Sequence, residues 1–254
     1  MISSVLVTGS NRGIGLELIK KFLAKSPSPE KIFATCRNPD GPRSEELRNL
    51  ALKHSNIVIL PLDATNTDSV KNAVVEVKKH LNGSGLNLLI NNAGVMSRVN
   101  LDKVDADDLI DTFTTNVVGP MQVSQAFYPL LKKSAEDNGH KPLSSERAAL
   151  VNMSSLLGSI EKTSLTFDVE KQVIAYRISK AALNMLTRLQ AESYRKDGIL
   201  CTALHPGWVK TDMGTEKAPL TTDQSATGIM EVLGFLSEKQ NGILVGWDGN
   251  SIPW

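Results

Sequence analysis

Only two cysteines, Cys36 and Cys201, occur in the 254 residues. Two thiols cannot build a disulfide framework. Both fall in apolar runs that read as strands, so they are expected to be reduced thiols in or near the core of a cytoplasmic protein. The four histidines, at 54, 80, 140 and 205, lack mutual metal-ligand spacing, and no metal is expected. Charge of one sign is not in excess: the net charge is +1, with acids and bases mixed, which excludes nucleic-acid or membrane attraction through a charge field. No run approaches the roughly 20 apolar residues of a membrane span. The opening MISSVLVTGS enters the first apolar run directly, without the basic region, apolar stretch and cleavage site of a secretory leader. No G-x-S-x-G elbow is present, which argues against a serine hydrolase. Internal repeats, linkers and low-complexity tracts are also missing.

What is present is an alternation of strand and helix signals. Apolar, β-branched runs occur at 4–9, 31–37, 57–62, 86–91, 148–154, 200–205 and 243–247. Helical patterns fall between them, such as the stripe Val70, Val74, Val77 and Leu81. This alternation predicts an α/β fold: a single-domain, Rossmann-like, doubly wound parallel sheet of about seven strands with helices on both faces, spanning residues 1–254. The polar segment 134–147 is the best loop candidate.

The first run leads straight into TGSNRGIG, residues 8–15, followed by a helical LELIKKFLAK. Strand, glycine-rich turn and helix form a phosphate cradle. Glycines permit positive φ and close approach of a ligand to the main chain. The helix start offers unpaired N–H groups and the positive end of its dipole. The spacing of Gly9, Gly13 and Gly15 is G-x-x-x-G-x-G rather than the G-x-G-x-x-G fingerprint. A dinucleotide site usually ends its second strand with a carboxylate for the ribose 2′-hydroxyl. Here Cys36 and Arg37 stand in that place, and no carboxylate follows until Asp40. A guanidinium suits a 2′-phosphate, which a carboxylate would repel. Arg37, with Arg12 from the glycine turn, therefore predicts NADP(H). The alternative is that both arginines are solvated surface charges.

Tyr176 and Lys180 stand four residues apart in AYRISKAALNML, with Ser155 upstream in LVNMSSLLG. Positions i and i+4 share a helix face. A cation close to a phenol lowers its pKa from about 10 and makes it a usable acid or base. Taken alone, such a pair arises often by chance.

In order, TGSNRGIG, the NNAG at 91–94, Asn116, the Ser155/Tyr176/Lys180 set and HPGWVKTD at 205–212 resemble the short-chain dehydrogenase/reductase family. The family resemblance covers nearly the whole chain, and within the family the chain looks most like the NADPH-dependent carbonyl reductases of the sniffer and C-factor type. LHPGWVKTDMG, TDQSATGI and the closing GWDGNSIPW carry this closer likeness. It implies that Ser155 holds a substrate carbonyl oxygen, Tyr176 delivers the proton, Lys180 binds the nicotinamide ribose and lowers the tyrosine pKa, and Asn116 holds a water. It further implies cofactor contacts from Gly9, Ser10, Asn11, Arg12, Gly13, Ile14 and Gly15. Asp63 and Ala64 would meet the adenine, and Asn92, Ala93 and Gly94 the adenosine ribose. Pro206, Gly207, Val209 and Thr211 would line the nicotinamide. The Ser-to-Tyr interval is longer than usual and contains the polar stretch 161–172, expected as a surface loop. Ser154 beside Ser155 leaves the choice between them open, with the family pattern favouring the second.

Asn116 also has a physical reading. DLIDTFTTNVVGPMQVSQAFYPLL reads as one long helix containing Pro120, which has no N–H for the Asn116 carbonyl four residues back. A kink and an acceptor free for water are expected there. Met96, Leu156, Leu157, Trp208 and Met213 are the expected substrate lining, with 214–222 a possible lid, and they suggest a hydrophobic carbonyl substrate. Ordinary core packing is the other reading of these residues. The chain is expected to be a monomer or homodimer. Two other readings stand beside the reductase. One is a non-catalytic NADP(H)-binding sensor or scaffold, whose mark would be loss of the tyrosine or lysine. The other is a sugar-nucleotide epimerase or dehydratase, which usually needs more chain after the lysine. The cofactor reading makes a direct prediction. Titration should show a strong preference for NADPH over NADH in the wild type, which Arg37→Asp loses; equal wild-type affinities would show that the arginines are surface charges.

Overall fold

A computed structural model describes residues 1–167 and 173–254. The apolar runs become β1 (Ser4–Thr8), β2 (Lys31–Cys36), β3 (Ile57–Pro61), β4 (Leu88–Asn91), β5 (Ala149–Met153), β6 (Leu200–His205) and β7 (Leu244–Gly246). An eighth strand, β8 (Ser251–Ile252), completes one sheet of order β3-β2-β1-β4-β5-β6-β7-β8. Seven strands run parallel, and β8 pairs antiparallel with β7. The sequence pattern predicted about seven strands. β8 is two residues long and only half-buried, too short for any period-2 signal. It exists because Gly249, at φ +84, turns the chain and the Gly246 N–H reaches the Asn250 carbonyl at 2.7 Å.

The strands read as continuous apolar runs because both sheet faces are covered. Alternate residues serve opposite cores. Val5, Val7, Leu88, Ile90 and Val151 pack on one side with Phe22 of α1 (Gly13–Ala24), Leu47 of α2 (Glu45–Lys53) and Ile229 of α8 (Thr222–Phe235). Leu6, Leu89 and Leu150 pack on the other with Val70 and Val77 of α3 (Thr67–Leu81), and Val123 and Phe127 of α5 (Gly119–Asp137). Local signals set the helix ends. Asn66 caps α3 by accepting from the Ser69 N–H at 2.9 Å, and Thr221 with Gln224 forms a capping box on α8.

Helix α5 runs to Asp137, into the segment expected as loop. Its last turn is held by the buried Ser134, whose hydroxyl donates to the Arg147 carbonyl at 2.7 Å, and by an i,i+4 pair of Lys133 and Asp137. Polar composition hid a helix end that packs against the sheet. The described part of the expected loop at 161–172 holds the exposed one-turn helix α6 (Thr163–Thr166), and 168–172 lie outside the described residues.

The long helix expected around Pro120 is three pieces: α4 (Ala106–Phe113), a π-helical turn at Thr114–Val118, and α5. The Gly119 N–H bonds the Thr114 carbonyl five residues back. One extra residue in the turn accommodates the proline ring, so the break is a π-bulge instead of a simple kink. The Asn116 side chain is pinned: its Oδ1 accepts from the Val95 N–H at 2.9 Å, and its Nδ2 donates to the Val95 carbonyl at 2.9 Å and to Ser179 Oγ at 3.0 Å.

His205 ends β6 half-buried, with a buried Nδ1 that makes no hydrogen bond among the described residues. Burial lowers its pKa to about 4, with Asp248 pulling weakly upward. The unfolded chain would bind this proton near the ordinary value of 6.5. Stability from this group is therefore present in full above pH 6.5 and is lost as pH falls toward about 4. Urea midpoints measured between pH 7.5 and 4.5 should fall less steeply for His205→Gln than for wild type; parallel curves would show that His205 carries none of the acid sensitivity.

Candidate active site

The sheet order reverses between β1 and β4, so the loops after these strands part and leave a crevice at their carboxyl ends. A cleft of ≈ 720 Å³ lies there. It is floored by the glycine turn, where Gly9 and Gly13 have φ of +65 and +54. A Cβ on Gly15 would meet the Gly9 carbonyl oxygen at 2.4 Å, so only glycine allows α1 to start this close to β1. No side chain caps α1, and its first turn holds no acid, which leaves a positive helix end facing the cleft.

Asn92 holds the turn in shape. Its Nδ2 donates to the carbonyls of Thr8 at 2.9 Å and Gly9 at 3.1 Å, while Thr8 Oγ1 accepts from the N–H groups of Asn92 and Ala93, both at 3.0 Å. Gly9, Asn11, Arg12, Gly13 and Ile14 all line the cleft, as do Ala93, Gly94 and Asn92. Ser10 and Gly15 stand behind this surface. The Ser10 hydroxyl donates to the carbonyls of Val7 and Thr35, and its N–H to Thr35 at 3.0 Å, so it braces the turn from inside.

At one end of the cleft three guanidiniums gather: Arg12, Arg37 and Arg43. Arg43 follows Gly41 and Pro42 after β2 and carried no sequence signal, because loop arginines are common and only the fold turns this one inward. Arg12 pairs with Asp212 across the cleft, and Arg43 lies 4.0 Å from the same carboxylate. Asp63 sits nearby with Ala64. Burial works against its charge, but hydrogen bonds from the Thr65 hydroxyl and N–H, and Arg37 beyond them, hold its carboxyl below the usual range.

At the other end, α7 (Ile174–Tyr194) brings Tyr176 and Lys180 to the cleft wall. Both are buried. The Lys180 Nζ lies 5.4 Å from the Tyr176 ring centre and donates to the Met153 carbonyl at 2.7 Å. Burial lowers the Lys180 pKa to about 8. Burial also raises Tyr176 to about 12, opposed by a hydrogen bond with Ser155. Desolvation governs the phenol in this structure, while the Lys180 ammonium is directed to the Met153 carbonyl. Ser155 and Ser154 have different partners. Ser155 meets Tyr176, and its Oγ accepts from the Leu157 N–H at 3.1 Å. Ser154 touches the cleft but donates its hydroxyl to Asn184 Oδ1 at 2.5 Å.

The chain after β6 forms the remaining wall through Pro206, Lys210, Thr211, Asp212 and Met213. Gly207 and Val209 shape it from behind. A Cβ on Gly207 would strike Leu220 at 2.4 Å, and Val209 is buried, bridging to Leu220. Trp208 is exposed and donates its indole N–H to the Gly214 carbonyl at 2.7 Å; Arg98 donates to the Met213 carbonyl at 2.7 Å. No cluster of metal ligands occurs among the described residues, and no described helix is long and apolar enough to cross a membrane.

Known proteins resemble this chain in sequence and fold. A short chain dehydrogenase family model matches residues 3–220. An NADPH-bound carbonyl reductase structure from chicken fatty liver is 49% identical, with a TM-score of 0.95, over 100% of this chain and 99% of that one. The carbonyl reductase Sniffer of Drosophila melanogaster is 41% identical, with a TM-score of 0.95, over the whole of both chains. The C-signal protein of Myxococcus xanthus is 35% identical over 66% of this chain and 93% of its own length. With the glycine turn, the crevice at the strand reversal and the Ser155–Tyr176–Lys180 cluster in one place, this chain belongs to the short-chain dehydrogenase family of oxidoreductases.

Proposed function

We propose that residues 1–254 form a single NADP(H)-binding unit that reduces a ketone, aldehyde or quinone to an alcohol, acting in the cytoplasm. One observation carries this reading. A buried phenol with its pKa raised to about 12 stands at the wall of a dinucleotide-sized cleft, bonded to Ser155 and on the helix face that bears Lys180. At neutral pH that phenol keeps its proton, which is the form a reduction consumes.

The cleft fits the cofactor. The uncapped start of α1 and the amides of the glycine turn suit a pyrophosphate. Arg37, Arg12 and Arg43 suit a 2′-phosphate, Asp63 and Ala64 the adenine, and Asn92 to Gly94 the adjacent ribose. Pro206 and Thr211 would lie along the nicotinamide. NADPH bound there would supply a hydride to the carbonyl carbon. The chain supplies what the oxygen needs. Ser155 and Tyr176 donate hydrogen bonds to it as negative charge develops, and Tyr176 gives up its proton. Lys180 would exchange the Met153 carbonyl for the nicotinamide ribose hydroxyls and hold positive charge beside the phenol. With the Asn116 side chain pinned, its backbone carbonyl, in the π-bulge before Pro120, would hold a water behind the lysine. Trp208 and Met213 favour a hydrophobic substrate, a small carbonyl compound carrying an apolar body.

Two outcomes are expected. Tyr176→Phe should lower NADPH oxidation with a carbonyl panel by at least about 10²-fold, while the NADPH dissociation constant stays within about twofold; wild-type turnover in this variant would sink the assignment. Pro120→Ala, which adds an N–H at the π-bulge beside Asn116, should lower turnover and shift its pH profile; an unchanged profile would remove the water relay from the mechanism.

A further inference from the structure

Tyr176 and Lys180 are followed on the same helical face by a third polar residue, Asn184, at i, i+4 and i+8 of α7. Asn184 is buried. Its carboxamide is used at both ends. Oδ1 accepts from the Ser154 hydroxyl at 2.5 Å, and Nδ2 donates to the Gly158 carbonyl at 3.2 Å. Ser154 and Gly158 flank Ser155. The two bonds therefore staple the segment carrying Ser155 to the helix that carries Tyr176 and Lys180. The contact is as close as a backbone permits: a Cβ on Gly158 would sit 2.6 Å from the Lys180 carbonyl carbon and 2.8 Å from its Cβ. The far side of the segment is closed by the Ser159 hydroxyl, which donates to the Pro253 carbonyl at 2.6 Å, and by the Glu161 N–H, which donates to the Trp254 carbonyl at 3.0 Å.

We infer that Asn184 is a positioning residue that sets Ser155 against the Tyr176 hydroxyl. The upstream flank is also tied to α7 by Lys180 Nζ, which donates to the Met153 carbonyl at 2.7 Å, and by the Ser154 hydroxyl, 3.5 Å from the Lys180 carbonyl. Asn184 is the α7 side chain that grips both flanks of Ser155, so the distance between the serine and the phenol depends on this staple. An error of about 1 Å there costs roughly 10²-fold in rate. The inference rests on the carbonyl-reductase reading for what Ser155 does, but the staple itself can be read without turnover.

The test is a double-mutant cycle of Asn184→Ala with Ser155→Ala, with Ser154→Ala as a milder break of the same staple. Asn184→Ala is expected to lower kcat roughly 10- to 100-fold with NADPH affinity within about twofold, and to cause less than about twofold further loss in the Ser155→Ala background. Equal proportional losses in both backgrounds would overturn the proposal, because the asparagine would then act independently of the serine. Hydrogen exchange of 154–158 should quicken in Asn184→Ala and in Ser154→Ala while α7 stays protected; unchanged exchange would overturn it as well. A wild type that binds NADPH but reduces no carbonyl would defeat the reductase reading alone, and the exchange result would still decide the staple.

Discussion

Everything at the cleft depends on the seam between β1 and β4. There Thr8 and Asn92 exchange hydrogen bonds between side chains and backbone at 2.9 to 3.1 Å. The sheet reverses order at this seam, so the loops on either side have no neighbouring strand to lean on. Without the asparagine the carbonyls of Thr8 and Gly9 would lack these partners, and Ser10 would be left to brace the glycine turn. Gly15 can approach Gly9 only because the turn is held this way. The shape of the glycine turn is thus a property of two side chains and three missing Cβ atoms.

The second organising fact is burial. Desolvation moves Tyr176 and Lys180 in opposite directions, raising the phenol to about 12 and lowering the ammonium to about 8. Both shifts favour the neutral form of the group. An apolar wall therefore leaves the tyrosine a proton carrier, while the lysine is held by a carbonyl close to the edge of its charged range. Cofactor hydroxyls would change that balance, because they bring polar partners to two buried groups.

Much of this was legible in the residues. Seven of the eight strands follow from apolar runs, since a parallel sheet buried on both faces needs them. The glycine turn, the i+4 spacing of Tyr176 and Lys180 and the arginine after β2 are local patterns, and local patterns survive folding. Other features were hidden. β8 is too short to have a period. The last turn of α5 is polar in composition yet packs through Ser134 against Arg147. The π-bulge before Pro120 adds a residue that no periodicity announces. Arg43 and Asp212 enter the cleft from loops whose direction only the fold decides.

The sequence by itself determined which chemistry was available: a phosphate-binding turn without a ribose carboxylate, a tyrosine and lysine on one helix face, and an apolar alternation that admits one class of sheet. Those are properties of bonded neighbours within a few residues. Tertiary structure alone decided which serine meets the phenol, that Arg12 answers to Asp212, and that burial raises the tyrosine pKa. These outcomes depend on distances between segments far apart in the chain and on how much water is left between them. Neither quantity is carried by local spacing.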